Sequence, residues 1–284
     1  MTKRRLSIAI PASVVSDTPH LREKTAKVGL IGRAAAIFRV EEILIYLDNP
    51  RINQTEDAAL VNTLLTYMET PQYLRKRLFE LRPELQYVGV LPPLRTPHHP
   101  LCYKAEDLKV GEYRDGVAVS KTSDGNLVDI GVEKPALLTS NNVPIGKRVT
   151  VKIAGVADKV QVSLANREDA NDYWGYVVNI EKLSIGRLAV GQRFDLVVGT
   201  SRYGVPFKEV ANEIGNRWQA ARNILVVFGA PSRGLKEIVR SENLKLEDVT
   251  DFIVNIVPGQ GTETVRTEEA LIACLAIMNV HFSV

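Results

Sequence analysis

The run FIVNIVPGQGTETVRTEEALIACLAIMNV, residues 252–280, decides the fold because it holds a strand, a loop and a helix in sequence. The apolar segment Asp251–Val257 is typical of a buried strand. A loop rich in Gly and Thr follows, and apolar residues then predict a last helix from Thr267 to about Val280. This strand–loop–helix order is typical of α/β proteins.

Two upstream segments repeat the pattern of an apolar strand followed by a loop of Gly, Pro, Ser and Thr. They are VVGTSRYGVP (197–206) and VVFGAPSRGL (226–235). Parallel α/β sheets bind ligands outside the carboxyl ends of their strands, so the three loops together can wall one pocket. The alternative interpretation is that Gly and Pro only make tight turns between elements.

The third loop excludes two common nucleotide sites. Gly259-Gln260-Gly261 resembles part of a dinucleotide fingerprint, but Thr264 occupies the place of the third glycine. The sequence also lacks the G-x-x-x-x-G-K-[ST] motif of P-loop proteins. Thr267 is predicted to cap the last helix, with Glu268 and Glu269 in its first turn. Two acids at the start of this helix disfavour the binding of phosphate there, so a neutral purine or a cationic ligand fits better.

The first third of the chain alternates strands and helices, which predicts a parallel sheet covered on both faces. Pro71 is expected to break or kink the second helix. The predicted strands are Leu6–Ile10, Glu41–Leu47 and Tyr87–Leu91, and the predicted helices are Leu21–Val40 and Ala58–Leu81.

After Pro92 the pattern changes to short strands separated by turns, which predicts a small barrel. The segment LPPLRTPHHP (91–100) is the expected linker, and turns are predicted at 123–125, at Asn141-Asn142 and at Asp172. The predicted barrel strands are Gly116–Val119, Leu127–Val132, Arg148–Ile153, Val160–Leu164 and Trp174–Val178.

Strand–helix alternation returns near Arg193, so the two ends of the chain are predicted to form one α/β domain. Its boundaries are placed at 1–92 and 179–284, with 93–178 as an inserted β-barrel. The last third is predicted to contain strands at Phe194–Gly199, Ile224–Phe228 and Asp251–Val257, and helices at Pro206–Ala221, Leu235–Arg240 and Thr267–Val280.

Composition is that of a globular protein, with 284 residues, 45% hydrophobic and 24% charged, and it excludes intrinsic disorder. No apolar run approaches the ~18 residues that cross a bilayer. The start MTKRRLSIAIPASVV (1–15) is basic and then apolar like a signal peptide, but Ser7 and Pro11 interrupt it, so a buried strand is expected. Two widely spaced cysteines, Cys102 and Cys274, predict reduced thiols and a cytoplasmic location.

The net charge is +3, and residues 1–92 hold the whole excess, with 13 Lys and Arg against 10 Asp and Glu. This weakly favours an anionic partner such as RNA. His98, His99 and Cys102 form H-H-x-x-C, but without a second ligand pair no metal is expected. Tyr173 and Trp174 either stack on bases or pack in a core.

The run IVPGQGTETVRTEEALIACLAIMN (256–279), with VVGTSRYG (197–204) and VVFGAPSRGL upstream, resembles the SPOUT-class (α/β-knot) RNA methyltransferases. The interrupted layout resembles an archaeal and eukaryotic subfamily with an inserted OB-like barrel. The segments SIAIPASV (7–14) and GLIGRAAAIFRVEEILIY (29–46) share this likeness, which covers nearly the whole chain. The resemblance implies a trefoil-knotted parallel sheet with helices on both faces. Knots are rare exceptions among folds, and no residue pattern predicts one.

The resemblance also implies S-adenosyl-L-methionine as cofactor, a homodimer with the active site at its interface, and structured RNA, most plausibly ribosomal, as substrate. Uridine N3 is the favoured methyl acceptor. Carried over by position, the cofactor-binding residues are Thr200 and Ser201 in the first loop, Gly229 in the second, and Ile256, Pro258, Gly261, Thr262, Thr264 and Val265 in the third.

Methylation of uridine N3 requires that its proton leave, so a base is needed. Glu263, the one acid inside the third loop, is a candidate, although a solvent-facing carboxylate explains it equally well. Arg202 and Arg33 are candidates for holding phosphate or polarising the base, with a solvated helix face as the alternative for Arg33. Two other functions stay open: a non-catalytic RNA-binding or ribosome-assembly factor that keeps the knotted fold, and an enzyme acting on a small substrate.

Overall fold

The computed structural model describes residues 4–139 and 143–282. The chain divides into two compact units, the first drawn from 1–66, 84–92 and 176–284 and the second from 67–83 and 93–175. The strands are β1 (Arg5–Pro11), β2 (Glu42–Tyr46), β3 (Tyr113–Thr122), β4 (Gly125–Asp129), β5 (Ala136–Leu138), β6 (Arg148–Val156), β7 (Val160–Ala165), β8 (Val177–Ile180), β9 (Leu196–Pro206), β10 (Asn223–Val227) and β11 (Phe252–Asn255).

Helices alternate with the strands of the first unit and precede the barrel strands of the second. Short 3-10 turns lie at Ala12–Val15, Pro83–Leu85, Val88–Val90, Ala105–Asp107 and Arg167–Asp169. The α-helices are α1 (Leu21–Ile37), α2 (Thr55–Glu69), α3 (Gln72–Leu78), α4 (Ile185–Ala189), α5 (Phe207–Ala220), α6 (Leu235–Ser241), α7 (Leu246–Val249) and α8 (Thr267–Phe282).

The first unit is built on a six-stranded parallel sheet in the order β11-β9-β10-β1-β2-β8. The central strand β1 pairs Ile8 with Val226 of β10 on one side and with Ile43 of β2 on the other. These strands are apolar along their length because the sheet is covered on both faces. Helix α8 packs against α1 and α5, where the Trp218 and Phe282 ring centroids lie 5.0 Å apart.

The second unit contains a closed barrel in the order β3-β4-β5-β7-β6. Its pairs are antiparallel except for β5 with β7, which run parallel. Alternate residues point inward, so Val151 and Ile153 of β6 are buried while Lys152 between them is exposed. The mixed α/β fold, with a parallel sheet flanked by helices and a separate five-stranded barrel, is therefore confirmed.

The predicted break in the second helix is confirmed, because α2 ends at Glu69 and Pro71 occupies the N-cap of α3. The predicted strand Tyr87–Leu91 is wrong, since Val88–Val90 form a 3-10 turn. A central strand needs burial on both faces, whereas Val88 is only partly buried and Gly89 and Val90 are exposed. The short helices α4 and α7 were not predicted.

The predicted barrel strand Trp174–Val178 is also wrong. Gly175 has a φ of +77°, which ends the extended backbone there, and β8 begins beyond it. Strand β8 pairs in parallel with β2 in the first unit, so it belongs to the sheet. The fifth barrel strand is β5, whose three residues are too few to show an alternating pattern. The predicted turn at Asn141-Asn142 lies outside the described residues.

Within the described ranges, no helix combines the length and apolar character needed to cross a membrane. The domain boundaries predicted from the sequence, 1–92 with 179–284 and 93–178, stay a prediction.

A buried network of charged groups stabilises the second unit. Arg148 donates to both carboxylate oxygens of Glu69, at 2.7 and 3.2 Å, and to the carboxylate of Asp115. Trp174 Nε1 also donates to Asp115, at 3.1 Å, and His98 Nε2 lies 3.3 Å from Glu69 Oε1. Burial alone would raise the pKa of the Glu69 carboxyl, but Arg148 and His98 outweigh it and hold the pKa far below its ordinary value.

We expect Glu69→Gln to lower the free energy of unfolding by about 3 kcal/mol at neutral pH, because it leaves the buried Arg148 without its partner charge. The folded-state pKa of Glu69 is depressed, so its contribution is present above the unfolded value near 4.5 and is lost as pH falls toward the folded value. Urea titrations across pH should show the two proteins converging in acid. Glu106→Gln, which removes an exposed pair with Lys104, is the control, with less than ~1 kcal/mol expected. A constant gap down to pH 3 would contradict the prediction.

Candidate active site

The three predicted loops meet at one edge of the sheet. They follow β9, β10 and β11, which are neighbours and run parallel, so their carboxyl ends lie side by side. We define the first loop as residues 200–204, the second as 228–234 and the third as 256–266. This edge is where parallel sheets bind ligands, and it is where the resemblance predicts the cofactor.

The first loop is an excursion inside β9. Gly199 pairs with Ile253 of β11 and Val205 pairs with the next residue, Val254, so five residues leave the ladder between them. Gly204 brings the chain back against β11, where a Cβ would lie 2.7 Å from the Ile253 carbonyl oxygen. Only glycine fits so close to another backbone.

Asn255 joins the first loop to the end of β11. Its Nδ2 donates to the Arg202 carbonyl oxygen at 2.8 Å, while its Oδ1 accepts from the Val257 N–H at 3.0 Å. The first loop is therefore held against the start of the third.

The third loop is organised by its own side chains. Gln260 Nε2 donates to the carbonyl oxygens of Thr262 and Glu263, at 2.8 and 3.0 Å, and Thr262 Oγ1 donates to that of Thr264 at 2.9 Å. Gly259 has a φ of +72°, which favours glycine, whereas a Cβ on Gly261 would meet no described atom within 4 Å. The loop thus leaves open space beside Gly261.

Two of the three catalytic candidates are brought together. Arg202 Nη1 donates to the Glu263 carbonyl oxygen at 2.9 Å, and its guanidinium carbon lies 4.7 Å from the centroid of the Tyr203 ring. The ring supports the cation through its π face. Arg33 lies elsewhere, half-buried on α1, in the helix layer that packs against α8.

The second loop is compact around Gly229. A Cβ there would lie 3.2 Å from the Leu235 nitrogen and 3.4 Å from the Arg233 carbonyl oxygen. Thr200 Oγ1 donates to the Val227 carbonyl oxygen at 3.0 Å, which ties the first loop to the second. Of the remaining predicted cofactor residues, Ile256 is buried, Ser201 and Val265 are partly buried, and Pro258, Thr262 and Thr264 are exposed along the third loop.

The start of α8 differs from the sequence prediction. Ala270 N donates to the Arg266 carbonyl oxygen, so Arg266 occupies the cap, and Glu269 Oε2 accepts the Arg266 N–H at 2.9 Å. Thr267 is instead the first helical residue, and its hydroxyl donates to the Gly229 carbonyl oxygen at 3.0 Å. The prediction of Thr267 as N-cap is wrong, because its hydroxyl forms a hydrogen bond to the second loop instead of capping the helix.

The neighbouring acid Glu268 is buried, and one of its carboxylate oxygens lies 3.4 Å from Lys27 Nζ on α1. Both acids of this helix start therefore have structural roles, Glu268 in a buried ion pair and Glu269 at the cap.

Sequence reasoning missed a polar group at the ends of β1 and β2. The buried Asp48 carboxylate accepts from Ser13 N at 3.1 Å, Ser13 Oγ at 2.8 Å and Gln54 Nε2 at 2.9 Å. The Asp48 carbonyl oxygen accepts from Arg233 Nη1 at 3.0 Å, which anchors the second loop. The same rule of strand ends applied to the predicted strand Glu41–Leu47 would have singled out Asp48, which directly follows it.

The H-H-x-x-C motif does not converge. Both His98 Nε2 and His99 Nε2 lie beside the Glu69 carbonyl oxygen, at 2.9 and 2.7 Å, while Cys102 Sγ lies 3.3 Å from the Lys104 carbonyl oxygen. Burial and the adjacent His98 lower the pKa of His99 to about 4. In the part of the chain that the structure describes, no three His, Cys, Asp or Glu side chains are grouped to hold a metal.

A cleft lined by Asp195, Arg217 and Arg222 lies at the opposite edge of the sheet, where β9 and β10 begin. The Asp195 carboxylate accepts the N–H groups of Arg222 and Asn223, at 2.9 and 2.7 Å, which lowers its pKa. Its polar groups are used to join two strand starts, so this cleft is separate from the loop edge.

A sequence family described as "Putative RNA methyltransferase" matches residues 5–278, so the chain belongs to this RNA methyltransferase family. Among its curated relatives is the human 28S rRNA (uridine-N(3))-methyltransferase, 32% identical, aligned over 96% of this chain and 77% of that protein. The mouse protein of the same name is 32% identical, over 96% and 75%. An uncharacterized protein of Halobacterium salinarum is 33% identical over 96% of this chain and 98% of its own length.

Proposed function

We propose that this protein transfers a methyl group from S-adenosyl-L-methionine to N3 of a uridine in ribosomal RNA. The observation that carries the proposal is the convergence of three glycine-containing loops at one sheet edge, in a chain that belongs to an RNA methyltransferase family. The names of the human and mouse relatives support uridine N3 as the acceptor.

We further propose that the α/β unit has the SPOUT-type trefoil knot and that the barrel is its OB-like insertion. The support lies in the first loop, which leaves the ladder after Gly199 and returns at Val205 while β11 passes against it. The close approach of Gly204 to the β11 backbone is what a chain threaded through that loop requires.

The residues present fit the proposed cofactor. Open space beside Gly261 lets a ligand reach the backbone of the third loop, and peptide groups can bind a neutral adenine and ribose without charge. Thr200, Ser201 and Gly229 would hold it from the neighbouring loops. The cofactor supplies an electrophilic methyl on a sulfonium centre, and the protein supplies position and orientation.

We assign the chemistry of the acceptor to the first and third loops. Glu263 is exposed, so its carboxylate can take the N3 proton of uridine as the new carbon–nitrogen bond forms. Arg202 is held by the Glu263 carbonyl and the Tyr203 ring, with further guanidinium N–H groups available for a uracil oxygen or a phosphate. Arg33 is assigned to RNA phosphate contact from α1. Holding uridine N3 beside the methyl group of a bound cofactor would lower the barrier, because the entropy cost of bringing the two together would already be met by binding.

We propose that the barrel, 93–178 in the predicted domain division, binds structured RNA together with the basic first third of the chain. Exposed Lys121 on β3 and Lys152 on β6 support this role, and Lys152 Nζ lies 5.5 Å from the Tyr113 ring centroid. The function requires no metal in this proposal, and the protein acts in the cytoplasm.

We also propose a homodimer. The apolar residues of α8 in the sequence, among them Leu271, Leu275 and Met278, predict a surface wider than one sheet covers, but all three are buried within the chain. The exposed apolar residues of α8 are instead Ile272 and Val280, 40% and 78% accessible. With Leu30 and Ile37 exposed on the adjacent helix α1, they support a two-fold interface.

Gly261→Val should abolish S-adenosylmethionine binding, because its side chain would fill the space that a ligand needs beside the third loop. Stability should change by less than ~0.5 kcal/mol, since the Cβ meets open space. Calorimetry with the wild type, Gly261→Val and the barrel control Gly155→Val, whose Cβ also meets open space, checks this. Unchanged affinity in Gly261→Val would remove the third loop from the site.

The same variants test the reaction in cells. Nucleoside mass spectrometry of ribosomal RNA should show loss of 3-methyluridine without the protein, and restoration by the wild type and Gly155→Val but not by Gly261→Val. Retained modification without the protein, combined with tight RNA binding, would favour a non-catalytic assembly factor.

RNA affinity should fall steeply with salt, because lysine–phosphate contacts release counterions. Lys121→Glu with Lys152→Glu should weaken binding and reduce the slope of log K against log salt by roughly one for each lost contact. A matched pair on the first unit, Lys208→Glu with Lys236→Glu, should retain the wild-type slope. Filter binding between 50 and 300 mM salt measures both. Equal slopes for all three proteins would assign the barrel another role.

Val280→Glu should dissociate the dimer, because it places a charge among apolar side chains that face a second copy. Sedimentation equilibrium at micromolar concentration should give twice 31.5 kDa for the wild type and 31.5 kDa for the variant. Ile145→Glu, an exposed apolar residue before β6, should remain dimeric. A wild type that sediments as a monomer while fully active refutes the dimer.

A further inference from the structure

Three successive carbonyl oxygens at the end of β10 each accept a hydrogen bond from a side-chain hydroxyl of a different segment. Thr200 Oγ1 donates to Val227 O at 3.0 Å, Tyr46 Oη to Phe228 O at 2.6 Å, and Thr267 Oγ1 to Gly229 O at 3.0 Å. We call Thr200, Tyr46 and Thr267 the hydroxyl clamp.

The clamp begins where the sheet ends. Val227 is the last β10 residue paired with both β1 and β9, and the Phe228 N–H donates to Ala9 O at 3.0 Å. Beyond Val227 the pairing of β10 with β1 and β9 ends, so the next carbonyls need other hydrogen-bond donors. Carbonyls of an extended chain alternate in direction, and the donors follow this alternation, with Thr200 on the β9 side and Tyr46 on the β2 side.

The second loop is also held from its far side. Ala230 N donates to Arg233 O at 2.9 Å, and Arg233 Nη1 donates to Asp48 O at 3.0 Å. Gly229 lies between this anchor and the clamp, and its backbone is packed tightly against Leu235. The peptide groups around Gly229 are therefore oriented by side chains of three other segments and by Arg233 of the second loop itself.

Burial makes the clamp sensitive to single changes. Tyr46 and Phe228 are fully buried and Thr267 is nearly so, which means that a carbonyl losing its hydroxyl stays unsatisfied. Burial, with the carboxylates of Asp48 and Glu242, raises the pKa of Tyr46 well above its usual range, so its hydroxyl stays a donor.

We propose that Tyr46 and Thr267, with Thr200, are positioning residues for the methyl donor: they orient the backbone of the second loop so that it can bind S-adenosylmethionine. The inference rests on the proposed function. Thr267 also couples the second loop to the end of the third, because it is the first residue of α8. Removing one hydroxyl should therefore weaken the binding of S-adenosylmethionine, because the backbone of the second loop is no longer held in the same orientation.

The test uses Thr267→Val and Tyr46→Phe, which remove only a hydroxyl or replace it with a methyl. Each should raise the Kd for S-adenosylmethionine and for S-adenosylhomocysteine by roughly three- to tenfold, the effect of one hydrogen bond. Hydrogen–deuterium exchange in the free protein should accelerate in residues 228–235. The KM for S-adenosylmethionine should rise while the KM for RNA stays constant.

Matched controls carry the same bond types away from the loops. Thr25→Val removes a hydroxyl that donates to Leu21 O at 2.7 Å in α1, and Tyr176→Phe removes one that donates to Leu65 O at 3.2 Å. Both control variants should lower the Tm about as much as Thr267→Val and Tyr46→Phe do. Their affinity for S-adenosylmethionine and the exchange in residues 228–235 should stay at wild-type values.

The outcomes separate this inference from the proposed function. If the wild type binds S-adenosylmethionine and Thr267→Val and Tyr46→Phe bind it equally well, the positioning role of the hydroxyl clamp is overturned and the proposed function stands. Equal losses in the control variants would also overturn it, since they would indicate a general loss of stability. A wild type that binds neither S-adenosylmethionine nor S-adenosylhomocysteine would overturn the proposed function, and the positioning role with it.

Discussion

The parallel pairing of β1 with β10 is the constraint on which the rest of the first unit depends. It joins Arg5–Ala9 to Asn223–Val227, more than 200 residues later, and places the N-terminal strand at the centre of the sheet. The strands β1 and β10 can pair only after the intervening chain, including the barrel strands, has been synthesised. A contact of such sequence separation is costly in loop entropy, so folding of this unit is expected to be slow relative to that of local elements.

The same pairing assembles the candidate site. With β1 beside β10, the ends of β1 and β2 come next to the second loop, and Tyr46 and Arg233 form hydrogen bonds between segments far apart in sequence. On the other side, β9 places the first loop between β10 and β11. The second loop is thus positioned by a strand, β10, one of whose neighbours, β1, comes from the other end of the chain.

The polar groups of the site are mainly backbone groups whose orientation is controlled by hydrogen bonds from side chains. Gln260 and Thr262 shape the third loop, Asn255 joins the first loop to β11, and hydroxyls satisfy the end of β10. Peptide groups suit a ligand recognised by hydrogen bonds rather than by charge. Two charged side chains of the loops, Arg202 and Glu263, lie at the surface, where a second substrate would arrive.

By itself, the sequence determined the elements with strong local signals. Apolar runs marked the sheet strands, Pro71 marked the helix break, and glycine-rich loops after strands marked the site edge and its resemblance to a known class. Only the tertiary structure decided the partner of β8, since a four-residue strand carries no information about which sheet it joins. It also decided that Arg266 caps α8 and that the hydroxyls of Thr267 and Tyr46 reach the second loop. Propensity treats Thr267 as a cap because it considers only nearby backbone donors, whereas a hydrogen bond to Gly229, 38 residues away, depends on how β10 and α8 pack.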